Sequence, residues 1–308
     1  MSLNTLSDVL GPAYRGGYAV AGLVVLGWED ARAFVEAAEA EGAPVILQAG
    51  PGCRAHTPLP ILAAMFRTLA DDAAVPVVAH LDHGYSREEC VAAIDAGFTS
   101  VMFDGSRKPL QQNIEETAAI VELARSAGVS SEGEIGFVGY AAGEGSAATD
   151  PEEARLFAEA TQVDAMAVSV GNVHLKESAD VTIDFAAIRA IEAVTRVPLV
   201  IHGASGVPPE TRTALARTTA VCKFNIGTEL RKCFGTALRE AVNRDPARFD
   251  RNAILSETTA PVRQAARNAI RAIAAVRETG AESAGCEGVD TKSTHGERTA
   301  HSHAGKSA

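Results

Sequence analysis

Short apolar runs recur along the chain, separated by longer stretches in which apolar positions return every three or four residues. The runs are YAVAGLVV from Tyr18, PVILQAG from Pro44, VPVVAHLDH from Val75, SVMFDGS from Ser100, VSSEGEIG from Val129, DAMAVSVG from Asp164, VPLVIHG from Val197 and AVCKFNIG from Ala220. Several are continuously apolar, as strands buried on both faces of a parallel sheet must be. The alanine-rich stretches 28–41, 87–96, 110–127 and 184–195 carry an amphipathic helical pattern between them. Eight alternations of strand and helix predict an α/β chain folded as a (β/α)8 TIM barrel, in preference to an open doubly wound sheet.

Two segments interrupt the rhythm. FVGYAAGEGSAATD, residues 137–150, is rich in glycine and small polar residues and longer than an ordinary βα connection, which predicts a mobile lid. From about Glu282 onward apolar residues almost vanish. The expected organisation is therefore a barrel domain over 1–280 and a disordered C-terminal tail over 281–308, with His295, His301 and His303 solvated rather than metal-binding.

The chain has 308 residues, 46% hydrophobic and 22% charged, ample for a large core. A net charge of -11 without any basic block argues against a nucleic-acid partner, so an anionic substrate must be met by local groups. Cys53, Cys90, Cys222, Cys233 and Cys286 are scattered and form no CxxC pair, which fits a reducing cytoplasm. No run approaches the roughly 18 apolar residues of a membrane span, and no secretory signal pattern opens the chain.

The candidate chemistry stands at the ends of the apolar runs. His83, His174 and His202 each close a different one. A barrel gathers such positions at its C-terminal rim, where three neutral imidazoles with an open fourth position suit a catalytic zinc. In HLDHG the two-residue strand period puts His80 and Asp82 on one face, with His83 opening the loop. Asp104 and Glu134 also stand at predicted strand ends, as outer partners that orient a histidine or as alternative metal ligands. The last two strands run into helices through Gly203-Ala204-Ser205-Gly206 and Asn225-Ile226-Gly227-Thr228, where small residues let backbone N–H groups approach a phosphate.

Taken together, HLDHG, GNVH, IHGASG and KFNIGTEL resemble the class II, zinc-dependent ketose-bisphosphate aldolases, the fructose- and tagatose-bisphosphate aldolase group, over roughly residues 3–276. The resemblance implies reversible retro-aldol cleavage of a ketose phosphate to dihydroxyacetone phosphate and an aldehyde. It implies Zn2+ held by His83, His174 and His202, with a monovalent cation as an optional second ion. By the same likeness Asp82 is the catalytic acid, and Glu134 is a glutamate near the metal. Gly203, Ala204, Ser205, Asn225, Ile226, Gly227 and Thr228 hold the dihydroxyacetone phosphate, and Glu144 is the nearest match to a lid glutamate that exchanges a proton. Homodimers or homotetramers are usual in such a family.

The chain also departs from that pattern. Gly22-Leu23-Val24 stands where relatives carry AFN, Gly50 where they carry a serine, Leu175 where glycine follows the metal histidine, and Gly139 to Glu144 where the lid has a glycine pair followed by an acidic pair. The expectation is retained aldol chemistry with an aldehyde partner other than glyceraldehyde 3-phosphate. Three rivals remain at this point: a non-catalytic sugar-phosphate-binding paralogue; a Schiff-base aldolase using Lys223, which reads more simply as a rim cation near phosphate; and some other metal-dependent barrel lyase or hydrolase.

Overall fold

In a computed structural model of the chain, the described residues are 3–143 and 145–274. The expected tail over 281–308 and Glu144 lie outside them. Eight parallel strands close into a barrel in chain order: β1 (Val20–Val24), β2 (Val45–Ala49), β3 (Val77–Gly84), β4 (Ser100–Phe103), β5 (Ser130–Ile135), β6 (Ala165–Val168), β7 (Leu199–Ile201) and β8 (Val221–Ile226). Strand β8 returns to β1 with Asn225 opposite Gly22, so the sheet has no open edge and the doubly wound alternative is excluded.

Helix α1 (Leu6–Gly16) precedes the barrel. Around it follow α2 (Trp28–Glu41), α3 (Pro51–His56), α4 (Leu59–Asp72), α5 (Arg87–Ala96), α6 (Leu110–Ser126), α7 (Pro151–Thr161), α8 (Phe185–Val194), α9 (Pro209–Thr218), α10 (Thr228–Arg244) and α11 (Arg251–Ile273). Helices α2 and α5 fill their predicted spans, and α6 stops one residue short of its own. Helix α8 begins one residue later than expected because Asp184 caps it, its carboxylate accepting from the Ala187 N–H.

Strand alternation sorts the core into two apolar bodies. Outward residues such as Leu47, Leu81, Phe103 and Phe224 pack against the helices, whereas Val20, Ile46, Val78, Ala167 and Val200 face the barrel axis. The inward set is closed from below by Leu6, Val9, Leu10 and Ala13 of α1. A Thr5–Asp8 capping box starts this helix, the Asn4 N–H donates to the Val77 carbonyl, and the Ser7 hydroxyl donates to Asp164. The plug seals the N-terminal end of the barrel, leaving the opposite rim for chemistry.

Candidate active site

Strand β3 delivers His83 at a register irregularity against β4, and the residue adopts φ 52, a left-handed conformation costly for any side chain with a Cβ. His174 follows β6 in a loop clamped to the segment after β5: its N–H donates to the Gly139 carbonyl and its own carbonyl accepts from Ala141. His202 ends β7. The three imidazoles meet with ring centroids 4.7 to 5.7 Å apart and one nitrogen of each within 4.8 Å of the others.

The remaining ring nitrogens of two of them are held by carboxylates. Asp104 Oδ2 lies 2.8 Å from His83 Nδ1, and its other oxygen accepts from the N–H and hydroxyl of Ser106. Glu132 Oε1 lies 3.0 Å from His202 Nε2, which leaves His202 Nδ1 turned toward the cluster. That Nδ1 and Glu134 Oε2 stand 3.3 Å apart without hydrogen-bond alignment, and both are buried without a partner. Burial disfavours a charged His202, yet the hydrogen bond to Glu132 and the charges of Glu134 and Glu132 outweigh it and push the ring up to about 10. Burial, reinforced by His83 and His202, pushes His174 down to about 3.

A proton held among carboxylates beside two further imidazoles is what a divalent cation displaces on binding. His83, His174 and His202 form one donor set for such an ion; His83, Asp104 and Glu134 form a second that shares His83. The orphaned His202 Nδ1 and Glu134 Oε2 supply lone pairs that nothing else among the described residues uses, so the side chains fit a metal ion.

Below the cluster lies a dry polar layer. Lys223 is fully buried, its Nζ 2.7 Å from Glu132 Oε2 and 3.4 Å from His80 Nε2, and His80 Nδ1 is 2.8 Å from the Ser100 hydroxyl. The expectation of Lys223 as a rim cation near phosphate is therefore wrong. Strand β8 points it into the barrel, where it neutralises Glu132 instead of reaching the cleft.

Asp82 also faces inward from β3, and its Oδ1 accepts from Asn225 Nδ2 at 3.1 Å. Burial raises the carboxyl, but His83, His202 and Lys223 outweigh it and hold it below the usual range. Asp82 and two of the imidazoles open into a cleft of about 320 Å³ together with Gly203, Ser205, Asn225, Gly227 and Thr228. Gly203 has φ 63, and a Cβ there would sit 2.3 Å from the Val173 carbonyl oxygen, so only glycine lets the β7 turn pass the His174 loop. The Ser205 hydroxyl accepts from the Gly227 and Glu229 N–H groups, which leaves its own O–H to donate. Ala204 and Ile226 are brought to the same strand ends, but their side chains pack into the helix-facing core.

Several cleft residues escaped the sequence reading. Arg231, one turn into α10, adds a cation beside Val24 and Gly227, and Tyr85 and Tyr140 form an aromatic wall. A basic residue three positions after a phosphate-type turn was the available signal for Arg231; nothing local marked the tyrosines. The substituted positions Val24, Gly50 and Leu175 all line the cleft. The 137–150 segment, expected as a lid, is tied down by reciprocal hydrogen bonds between Phe137 and Ala147 and by the Ser146 hydroxyl, which accepts from the Gly139 N–H.

The chain is similar to known proteins over most of its length. Residues 4–278 match the family described as fructose-bisphosphate aldolase class-II. A fructose-bisphosphate aldolase of Geobacillus stearothermophilus is 38% identical over 262 residues, covering 83% of this chain and 91% of that protein. A 6-phospho-5-dehydro-2-deoxy-D-gluconate aldolase of Shouchella clausii is 36% identical over 285 residues, covering 90% and 97%. Among solved structures, the YdjI aldolase of Escherichia coli K12 superposes with a TM-score of 0.78 at 30% identity, covering 88% of this chain and 97% of that one.

Proposed function

Because the chain belongs to the class-II fructose-bisphosphate aldolase family, we propose that it catalyses zinc-dependent, reversible retro-aldol cleavage of a ketose bisphosphate or related ketose phosphate, giving dihydroxyacetone phosphate and an aldehyde. The observation that carries this reading is the convergence of His83, His174 and His202, with an unpartnered Nδ1 on His202, beside the buried carboxylate of Asp82. His83, His174 and His202 would hold the zinc, with Asp104 and Glu134 as orienting partners or a second resting position. Bound there, zinc would supply a Lewis acid for the ketose oxygens.

Asp82 takes the C4 hydroxyl proton as the C3–C4 bond breaks and returns it in condensation. Its hydrogen bond from Asn225 keeps one oxygen fixed and leaves the other to face substrate. The electron pair released at C3 passes into the neighbouring carbonyl, and a proton then completes dihydroxyacetone phosphate. Glu144 is the candidate for that transfer. Backbone groups of Gly203 and Thr228, the Ser205 hydroxyl and the start of α10 hold the phosphate, with Arg231 adding charge. Glu132, braced by Lys223, keeps the proton on His202 Nε2 so that Nδ1 stays free to ligate.

The deciding assay incubates the metal-replete protein with fructose and tagatose 1,6-bisphosphates, ketose 1-phosphates and 2-deoxy-5-keto-gluconate 6-phosphate, following dihydroxyacetone phosphate, which aldol cleavage of each releases, through a coupled dehydrogenase. We expect cleavage that EDTA abolishes and zinc restores. Bound zinc without turnover of any of these compounds would instead identify a sugar-phosphate-binding paralogue.

A further inference from the structure

The two ends of the cleft differ in chemistry. At the β7–β8 end, Gly203, Ser205, Thr228 and Arg231 suit a phosphate. The other end is walled by Tyr85, after β3, and Tyr140, in the segment after β5. Tyr85 stacks on His83 with centroids 6.2 Å apart and planes at 24°, Tyr140 stacks on His174 at 5.0 Å and 28°, and each phenol acts on the other. Leu175 adds an apolar side chain to the cleft, 52% exposed and held at φ 56.

Three carboxylates bear on this end: Asp82 and Asp104 act on Tyr85, and Asp104 and Glu134 act on Tyr140, where Arg107 partly offsets them. The nearby guanidinium groups are engaged. Arg54 donates to the carbonyl oxygens of Ala49, Asp82 and His83 and to Glu89, and Arg107 sits over the Phe137 ring, 4.3 Å from its centroid. A phosphate dianion placed here would lose water against ring faces and carboxylates. An uncharged polyol chain would instead lay its C–H face on the rings and exchange hydrogen bonds with the two phenols.

We propose that Tyr85, Tyr140 and Leu175 select an uncharged, hydroxylated acceptor aldehyde, so that the preferred substrate is a ketose 1-phosphate and not a ketose bisphosphate. The inference rests on the aldolase reading of the same site. Bisphosphate and monophosphate share the phosphate at C1, so discrimination between them reports the acceptor end alone.

The full-length, zinc-loaded protein is assayed for kcat/KM on fructose and tagatose 1-phosphates against their 1,6-bisphosphates, and separately for solvent-deuterium exchange into dihydroxyacetone phosphate, which needs no aldehyde. We expect exchange, and a kcat/KM for at least one 1-phosphate about tenfold or more above its bisphosphate. Tyr85→Phe and Tyr140→Phe, which remove only hydroxyls, should each raise KM for that 1-phosphate about fivefold and shrink the ratio. Leu175→Gly should shrink it as well, by admitting water. Exchange combined with equal or better use of the bisphosphates overturns the proposal while leaving the aldolase reading intact. A bisphosphate preference lost in Arg107→Ala would show that Arg107 meets a second phosphate. An unchanged ratio in all three variants removes these residues from the role. Absence of both exchange and cleavage overturns the aldolase reading and the proposal with it.

Discussion

Lys223→Met removes the positive partner of Glu132 while keeping the volume of the side chain. Both groups are wholly buried. At the 2.7 Å separation of Nζ and Oε2, and an effective dielectric constant of about 20, their attraction is about 6 kcal/mol. The cost of burying both charges offsets part of this, and breaking such a pair from one side typically costs about 3–5 kcal/mol because the other charge is left without compensation. At roughly 2–4 °C per kcal/mol for a domain of this size, the metal-stripped variant should melt about 6–20 °C below the parent. Glu132 also orients His202, so zinc affinity measured by competition with a chromogenic chelator should fall about 10- to 100-fold. The double variant Lys223→Met/Glu132→Gln should recover part of the lost melting temperature while leaving the affinity low. A Lys223→Met protein that melts within about 2 °C of the parent would refute the argument, because it would mean that the pair contributes no net stabilisation.

Asp82→Asn should lower kcat by about 10²–10⁴ with full zinc content by atomic absorption; loss of zinc would make Asp82 a structural support. Gly203→Ala should destabilise the protein by about 2–4 kcal/mol, since its Cβ meets the Val173 carbonyl at φ 63, and a chelator titration should show weaker zinc binding as the His174 loop moves. Glu41→Gln should cost about 0.5–1 kcal/mol at neutral pH, because hydrogen bonds from Arg271 and Arg267 outweigh burial and hold the carboxyl below its usual range. A group so lowered stabilises the fold fully above the ordinary glutamate pKa and loses that contribution as pH falls through its folded value. Urea melts should therefore show parent and Glu41→Gln converging in acid; a constant difference would assign the loss to packing.

The alternation of apolar runs and amphipathic stretches determined the barrel, because a strand buried on both faces leaves a continuous apolar signature and eight of them close most naturally on one another. The same logic made His83, His174 and His202 legible as neighbours. His83 and His202 close runs and His174 follows one in the next loop, and parallel strands place every run's end on one rim. Lys223 shows where that logic stops. Its position near the end of a run suggested the rim, whereas the register of β8 against β7 and β1 turned its side chain into the axis opposite Glu132, on a strand 91 residues away. Strand identity is local, but the depth of a side chain in the barrel depends on strand stagger, which no single segment carries.

The sequence alone thus determined the architecture, the convergence of the three histidines, the place of Asp82 beside them and the small-residue turns after β7 and β8, all of which rest on period or on local spacing. Only the tertiary structure decided which nitrogen of His202 faces the cluster and that α1 plugs the lower mouth. It also decided that Tyr85 and Tyr140 meet across two loops and that Leu175 lines the cleft beside them. These features depend on contacts between distant segments, and the energy of such a contact exists only once the barrel has brought both sides together.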